Sequence, residues 1–313
     1  MKTIRLEIPA FFLFMFISIS TLAQNYEKVW FNKSDSTYGY YIVLKPADAV
    51  CRGAIVLLDG YGGNATSMLL ETHIPQRALS NSLLVVCIPS GPRLFLDKEY
   101  ASTINRILTE VSAHYKIDRN KFAIGGFSIG GTIALRYTEL SYQYPHNFYI
   151  EPKALFTIDS PVDLLRLHES SQKELKSIGS SWWGAEARMI IDSLDRNIGK
   201  LPAGLQNYKE KSPFFVTDSL PGNERWIINV PYRTYHDVDI EWQLINRKRS
   251  IYELNMLNAS ELIKRLQNLG STHAEFRASK VHGRRANGQM NPHSWNIVDE
   301  ADLILWINRA LIF

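Results

Sequence analysis

Lys121-Phe122-Ala123-Ile124-Gly125-Gly126-Phe127-Ser128-Ile129-Gly130-Gly131 is the stretch on which the reading of this chain turns. Residues 122–124 are apolar and suit a buried strand, and Thr132-Ile133-Ala134-Leu135-Arg136-Tyr137 suits a helix. Between them, Gly126-x-Ser128-x-Gly130 has the pattern of a serine pushed into a sharp strand-to-helix turn. Such a turn strains the serine backbone and crowds the residues two before and two after it, which must do without side chains. It leaves the Oγ exposed, facing the free N–H groups of a helix start. A glycine-rich turn without chemistry is the plain alternative.

The strands on either side extend the pattern. Gly53-Ala54-Ile55-Val56-Leu57-Leu58, Leu83-Leu84-Val85-Val86-Cys87-Ile88 and Ala154-Leu155-Phe156-Thr157-Ile158 are continuous apolar runs, as expected of a sheet covered on both faces. Tyr26 to Asn32 and Tyr38 to Lys45 read as a hairpin around Ser34-Asp35-Ser36. A helix between about Thr66 and Ser80, broken at Pro75, and another over Tyr100 to Tyr115 fill the gaps. Strands resume at Trp226–Tyr235 and His273–Ser279. Asn258-Ala259-Ser260-Glu261 opens a helix with a capping box, and Asp299-Glu300 starts a terminal one. Alternating strands and helices predict a mostly parallel sheet with right-handed crossovers, with ligands beyond the carboxyl ends of the strands.

From about 162 to 225 the rhythm is helical, around Trp182-Trp183-Gly184, and reads as an insertion before a late strand. It is placed to roof a pocket, with Trp182, Trp183, Phe214 and Phe215 as apolar lining; alternatively these aromatics bury the insertion against the core.

With 313 residues the chain holds one large α/β domain with an insertion, or two small ones. A formal net charge of +4 with no basic cluster gives no reason to expect a nucleic-acid partner. Cys51 and Cys87 are too few for a disulfide framework and read as buried thiols. Lys2 and Arg5, then Phe11–Ile19, then Thr21-Leu22-Ala23 have the layout of a secretory signal peptide cleaved after Ala23. The apolar run is short for a bilayer span, so the mature chain from residue 24 is expected to be periplasmic or secreted, without stable membrane insertion.

The elbow, the strand order and the insertion resemble the α/β-hydrolase fold, and Gly125-Gly126-Phe127-Ser128-Ile129-Gly130-Gly131 resembles the version in bacterial secreted serine esterases. The resemblance spans nearly the whole mature chain and implies the order nucleophile, acid, histidine. A serine hydroxyl needs an adjacent base, and histidine suits the task. Of eight histidines, the two late loop candidates are His282 and His293. His293-Ser294-Trp295, just before the terminal helix, resembles the family's arrangement and makes His293 the expected base, with His282 as alternate. For the acid that orients the imidazole, the acidic-x-Asp-x-x-Trp likeness of Asp237-Val238-Asp239-Ile240-Glu241-Trp242 points to Asp239. Asp237 is close behind. Asp159 is third, since capping a turn or the helix after Pro161 is the stronger explanation for it. The resemblance places the oxyanion donors at the backbone N–H groups of Ile129 and Tyr61. Many relatives have His-Gly where this chain has Asp59-Gly60.

No metal-ligand spacing, phosphate loop or convincing dinucleotide fingerprint is present, and the expected chemistry needs no cofactor. The expected activity is hydrolysis of a small-molecule, glycan or lipid ester through an acyl-enzyme. An acyltransferase, a serine peptidase, or a silent binding protein on the same scaffold are the alternatives.

Overall fold

Eight strands lie in one sheet in the order β1-β2-β4-β3-β5-β6-β7-β8, in a computed structural model that describes residues 26–47, 51–178 and 181–312. The expected signal peptide, residues 1–23, lies outside the described residues. The strands are β1 (Tyr26–Trp30), β2 (Tyr40–Leu44), β3 (Gly53–Leu58), β4 (Leu83–Ile88), β5 (Phe122–Phe127), β6 (Ala154–Ile158), β7 (Tyr232–His236) and β8 (Ala274–Ala278). β1 and β2 form an antiparallel hairpin whose second strand meets β4, also antiparallel. From β4 across to β8 every pairing is parallel.

The apolar runs are buried because side chains alternate between two helical layers. Val56 and Leu58 join one core with Ile104 and Leu108 of α3 (Lys98–Tyr115), Ile133 of α4 (Ile129–Gln143) and Leu262 of α9 (Asn255–Asn268). Ile55 and Leu57 face the other core, with Met68 of α1 (Met68–Glu71), Ile74 of α2 (Ile74–Leu79) and Leu303 of α10 (Glu300–Ile312). This is the α/β-hydrolase fold.

Between β6 and β7 the chain forms α5 (Leu164–Ile178), α6 (Trp182–Asn197), α7 (Leu205–Lys211) and a 3-10 turn over Asn223–Ile227. The strand expected from Trp226 therefore starts only at Tyr232. Phe214 and Phe215 belong to the first core and do not line the cavity described below. The break in the early helix falls at Thr72–His73, leaving Pro75 in the first turn of α2, where a missing N–H costs nothing. α9 starts at Asn255, so Asn258–Glu261 lies inside it, and the capping box is instead at Ser250 and Glu253. A short helix (α8, Ile240–Trp242) and a π-helical turn over Gln243–Arg247 follow β7.

β3 is flanked by β4 on one side and β5 on the other, so the chain reverses direction across the sheet there. The crevice at the carboxyl ends of β3 and β5 is the switch point where ligands bind in open α/β sheets. The loop from Asp59 and the turn at Ser128 meet in it.

Candidate active site

Ser128 is the single residue between the end of β5 and the start of α4, with φ 53° and ψ −127°. The turn is closed enough that its glycines cannot be replaced. A Cβ at Gly130 would lie 2.2 Å from the Leu58 carbonyl oxygen, and one at Gly126 would lie 2.5 Å from the same oxygen.

His293, on the loop before α10, reaches the serine. Its Nε2 is 3.0 Å from Ser128 Oγ, and its Nδ1 is 2.5 Å from Asp159 Oδ2. Asp159 directly follows β6, the strand beside β5, and has φ 42°. Burial alone would push its carboxyl up, but the His293 charge and bonds from His236 and His293 outweigh it and hold the group well below the usual carboxylate range. The carboxylate is thus charged and aimed at the imidazole.

Asp239, the expected acid, does not meet His293. Its Oδ1 accepts the Trp242 N–H at 2.9 Å, capping α8, and its Oδ2 is 3.2 Å from His282 Nδ1. His282, the alternate base, is turned outward with its side chain 65% exposed. Asp237 spends Oδ2 on the Gly283 N–H (2.8 Å) and Oδ1 on the Asp239 N–H. The acid-x-Asp-x-x-Trp pattern is therefore a capped turn that braces the loop running to His293. The capping expected of Asp159 falls to Asp163, whose Oδ1 accepts the Leu165 and Arg166 N–H groups. The sequence signal for Asp159 was its place at the end of an apolar strand, which a turn cap shares; its nearness to the elbow comes from the pairing of β6 with β5.

The loop after β3 lies against the elbow, close enough that a Cβ on Gly60 would sit 3.4 Å from Ser128 Cβ. Asp59 holds this loop from inside. Its Oδ1 accepts the Gly60 N–H (2.8 Å) and Trp295 Nε1–H (3.0 Å), and its Oδ2 accepts the Ser67 hydroxyl (2.8 Å). Burial pushes this carboxyl up, against those bonds. Tyr61 and Ile129 both line the cavity beside Ser128, and among the described residues no backbone acceptor takes either N–H.

The cavity has a volume of about 710 Å³ and runs from Ser128 and His293 under the inserted helices. Leu94, Leu167, Met189 and Ile190 give it an apolar wall, while Gln243, Arg247 and Arg249 form a polar one. Trp182 stands at its mouth, 79% exposed. Trp183 does not line it and instead stacks against the Arg247 guanidinium, 4.0 Å from the ring centroid. Arg247 is buried and bonded to Glu174 of α5 and Glu186 of α6, so the insertion is fastened to the turn after β7. Among the described residues no group of three or more His, Cys, Asp or Glu is placed to hold a metal ion.

The sequence matches no protein-family model and no curated protein. Solved structures do resemble the fold. An S-formylglutathione hydrolase of Agrobacterium tumefaciens superposes with a TM-score of 0.54 at 13% identity, covering 91% of this chain and 94% of the other. An esterase/lipase from an uncultured bacterium gives 0.57 at 13% identity over 92% and 85%. MPT51 of Mycobacterium tuberculosis gives 0.52 at 14% identity over 92% and 98%. At these identities the likeness establishes the α/β-hydrolase fold.

Proposed function

We propose that this protein is an exported serine hydrolase that cleaves carboxylic esters through an acyl-enzyme. The observation that carries the reading is the imidazole of His293 held between Ser128 Oγ and Asp159 Oδ2. Ser128 Oγ attacks the ester carbonyl while His293 Nε2 takes its proton, and Asp159 stabilises the imidazolium. The Tyr61 and Ile129 N–H groups bind the oxyanion. His293 then protonates the departing alcohol, activates a water on the acyl-enzyme, and returns the proton to Ser128. Every group needed is a side chain or backbone amide of this chain. An ester is favoured because one of the resembling proteins is described as an esterase/lipase. The signal-peptide pattern in residues 1–23 supports export to the periplasm or beyond.

The test is labelling of the purified mature protein with a fluorophosphonate, beside Ser128→Ala, followed by a screen of p-nitrophenyl esters with alcohols and amines as competing acceptors. Labelling and hydrolysis that vanish in Ser128→Ala support the reading. Well-folded protein that neither labels nor hydrolyses overturns it, and transfer outrunning hydrolysis makes the protein an acyltransferase. Amino-terminal sequencing of exported material, expected to begin at Gln24, tests the leader.

A further inference from the structure

We propose that His236 is a positioning residue for Asp159 and sets how strongly that carboxylate draws on His293; the proposal rests on the ester-hydrolase reading above. Asp159 serves two imidazoles at once. Its Oδ2 faces His293, and its Oδ1 lies 3.1 Å from His236 Nδ1. His236 ends β7, is fully buried, and lies parallel to the Phe276 ring of β8 with centroids 5.1 Å apart.

What lies behind His236 fixes which nitrogen carries its proton. Nε2 is 2.8 Å from Thr234 Oγ1, Thr157 Oγ1 donates to Thr234 Oγ1 at 2.9 Å, and Tyr232 Oη is 3.0 Å from Thr157 Oγ1. All of these residues are buried. Each hydroxyl has one proton to give. Thr157 spends its proton on Thr234, so Tyr232 donates to Thr157, and among the described residues Nε2 is the one acceptor found for the Thr234 proton. Burial pushes the Tyr232 phenol up to about 12, which keeps it protonated as the head of the chain. Nε2 is therefore an acceptor, and the ring presents Nδ1–H to Asp159.

Two consequences follow for the reaction. The Nδ1–H fixes the rotation of a carboxylate whose backbone is already pinned, since Asn255 Nδ2 donates to the Asp159 carbonyl at 2.9 Å. An N–H donor on Oδ1 also takes up part of the negative charge that would otherwise bear on the His293 imidazolium. The titratable groups that face the carboxylate are His293, from the loop before α10, and His236, from β7. Tyr232 faces His236 through the hydroxyl chain, and Asp237, next in sequence, is turned to the Gly283 N–H.

The experiment compares His236→Phe, which keeps a ring against Phe276 without a donor, with His236→Asn, whose Nδ2–H falls near the place of Nδ1–H. Thr234→Val, which leaves both imidazoles in place and removes the donor to Nε2, covers the case in which His236→Phe does not fold. Each variant is checked for folding by near-ultraviolet circular dichroism and assayed with p-nitrophenyl acetate across pH. His236→Phe is expected to lose about 10–100-fold in kcat with KM little changed. Its acid limb of kcat/KM should move up by roughly half a pH unit or more, because an undiluted carboxylate holds the His293 proton longer. His236→Asn restores most of the rate and returns the limb, and Thr234→Val shows the same shift in smaller measure. A folded His236→Phe with wild-type kcat and limb overturns the proposal, as does equal impairment of both His236 variants, or of Thr234→Val, with an unmoved limb. A wild type that is itself inert overturns the parent reading, which is a distinct result.

Discussion

Trp295 Nε1 donates to Asp59 Oδ1 across 3.0 Å, joining the loop that carries His293 to the loop that follows β3. Both partners are buried. The bond sets the two loops that border Ser128 at a fixed spacing, and Phe127 packs against both, its ring centroid 4.5 Å from His293 and 5.7 Å from Trp295 and its Cδ1 3.2 Å from where a Cβ on Gly60 would lie. Asp59 thus acts as the anchor of the loop after β3. Trp295→Phe removes one donor from a buried carboxylate and should cost about 1–3 kcal/mol in urea unfolding, with a slower fluorophosphonate reaction. Asp59→Asn should cost less, because an amide oxygen still accepts from Trp295 and Gly60 while its N–H₂ can donate to Ser67 Oγ. If Asp59→Asn proved the more damaging change, the charge rather than the bonds would hold the loop.

The acid is tested by a pair of substitutions. Asp159→Asn keeps the shape of the carboxylate but presents the wrong hydrogen-bonding partner to His293, and kcat should fall by roughly 10⁴. Asp239→Asn touches only the cap of α8 and the exposed His282, and kcat should stay within about threefold. Steady-state kinetics on one ester decides it, and the reverse outcome would move the acid to the loop after β7.

These two carboxylates also mark where the sequence stops being readable. The sheet was legible because its runs are apolar without interruption, and the turn at Ser128 because glycine is the only residue its crowded backbone admits. His293 stood out through its neighbours Ser294 and Trp295 and its place before α10. Asp159 did not, because an aspartate that caps a turn and one that holds an imidazole look identical in one dimension. What separates them is that β6 pairs with β5, which sets the end of one strand beside the end of the other. The same limit hid His236, a histidine at a strand end whose use depends on Thr157 and Thr234 of two paired strands. It also left Phe214 and Phe215 open between the cavity wall and the core, to which they belong.

The turn itself makes a sharper prediction. Gly130→Ala would drive a Cβ to 2.2 Å from the Leu58 carbonyl oxygen and 2.4 Å from that of Asp59, both backbone atoms of the central strand and its loop. Neither can move without carrying β3 along, so the cost should reach or exceed the roughly 1–3 kcal/mol typical of overpacking. Little soluble protein is expected. Gly288→Ala is the control: its φ is +81° but no atom lies within 4 Å, so only the backbone penalty of about 1–2 kcal/mol applies. Similar yields for both variants would mean that the elbow has room its geometry denies.

Stability should also carry the mark of Asp163, which ties the start of α5 to the segment returning from the insertion. Its Oδ1 accepts the Leu165 and Arg166 N–H groups, and its Oδ2 accepts the Val216 N–H at 2.9 Å. Burial outweighs these bonds and raises the carboxyl from 3.8 to about 6. The folded state therefore binds this proton more tightly than the unfolded chain does. The contribution is fully present below about pH 4 and is lost as pH rises towards about 6, a shift of about two units or roughly 3 kcal/mol. Asp159 runs the other way: its depressed carboxyl contributes above its unfolded value and loses that contribution only as pH falls below it. The two can be separated by difference. Urea unfolding of wild type and Asp163→Asn, measured from about pH 4 to 7, should show the wild type's advantage shrinking by about 3 kcal/mol as pH rises. A constant offset across that range would mean that the three backbone donors hold Asp163 charged throughout, and that burial at the root of α5 is less complete than its 1% exposure implies.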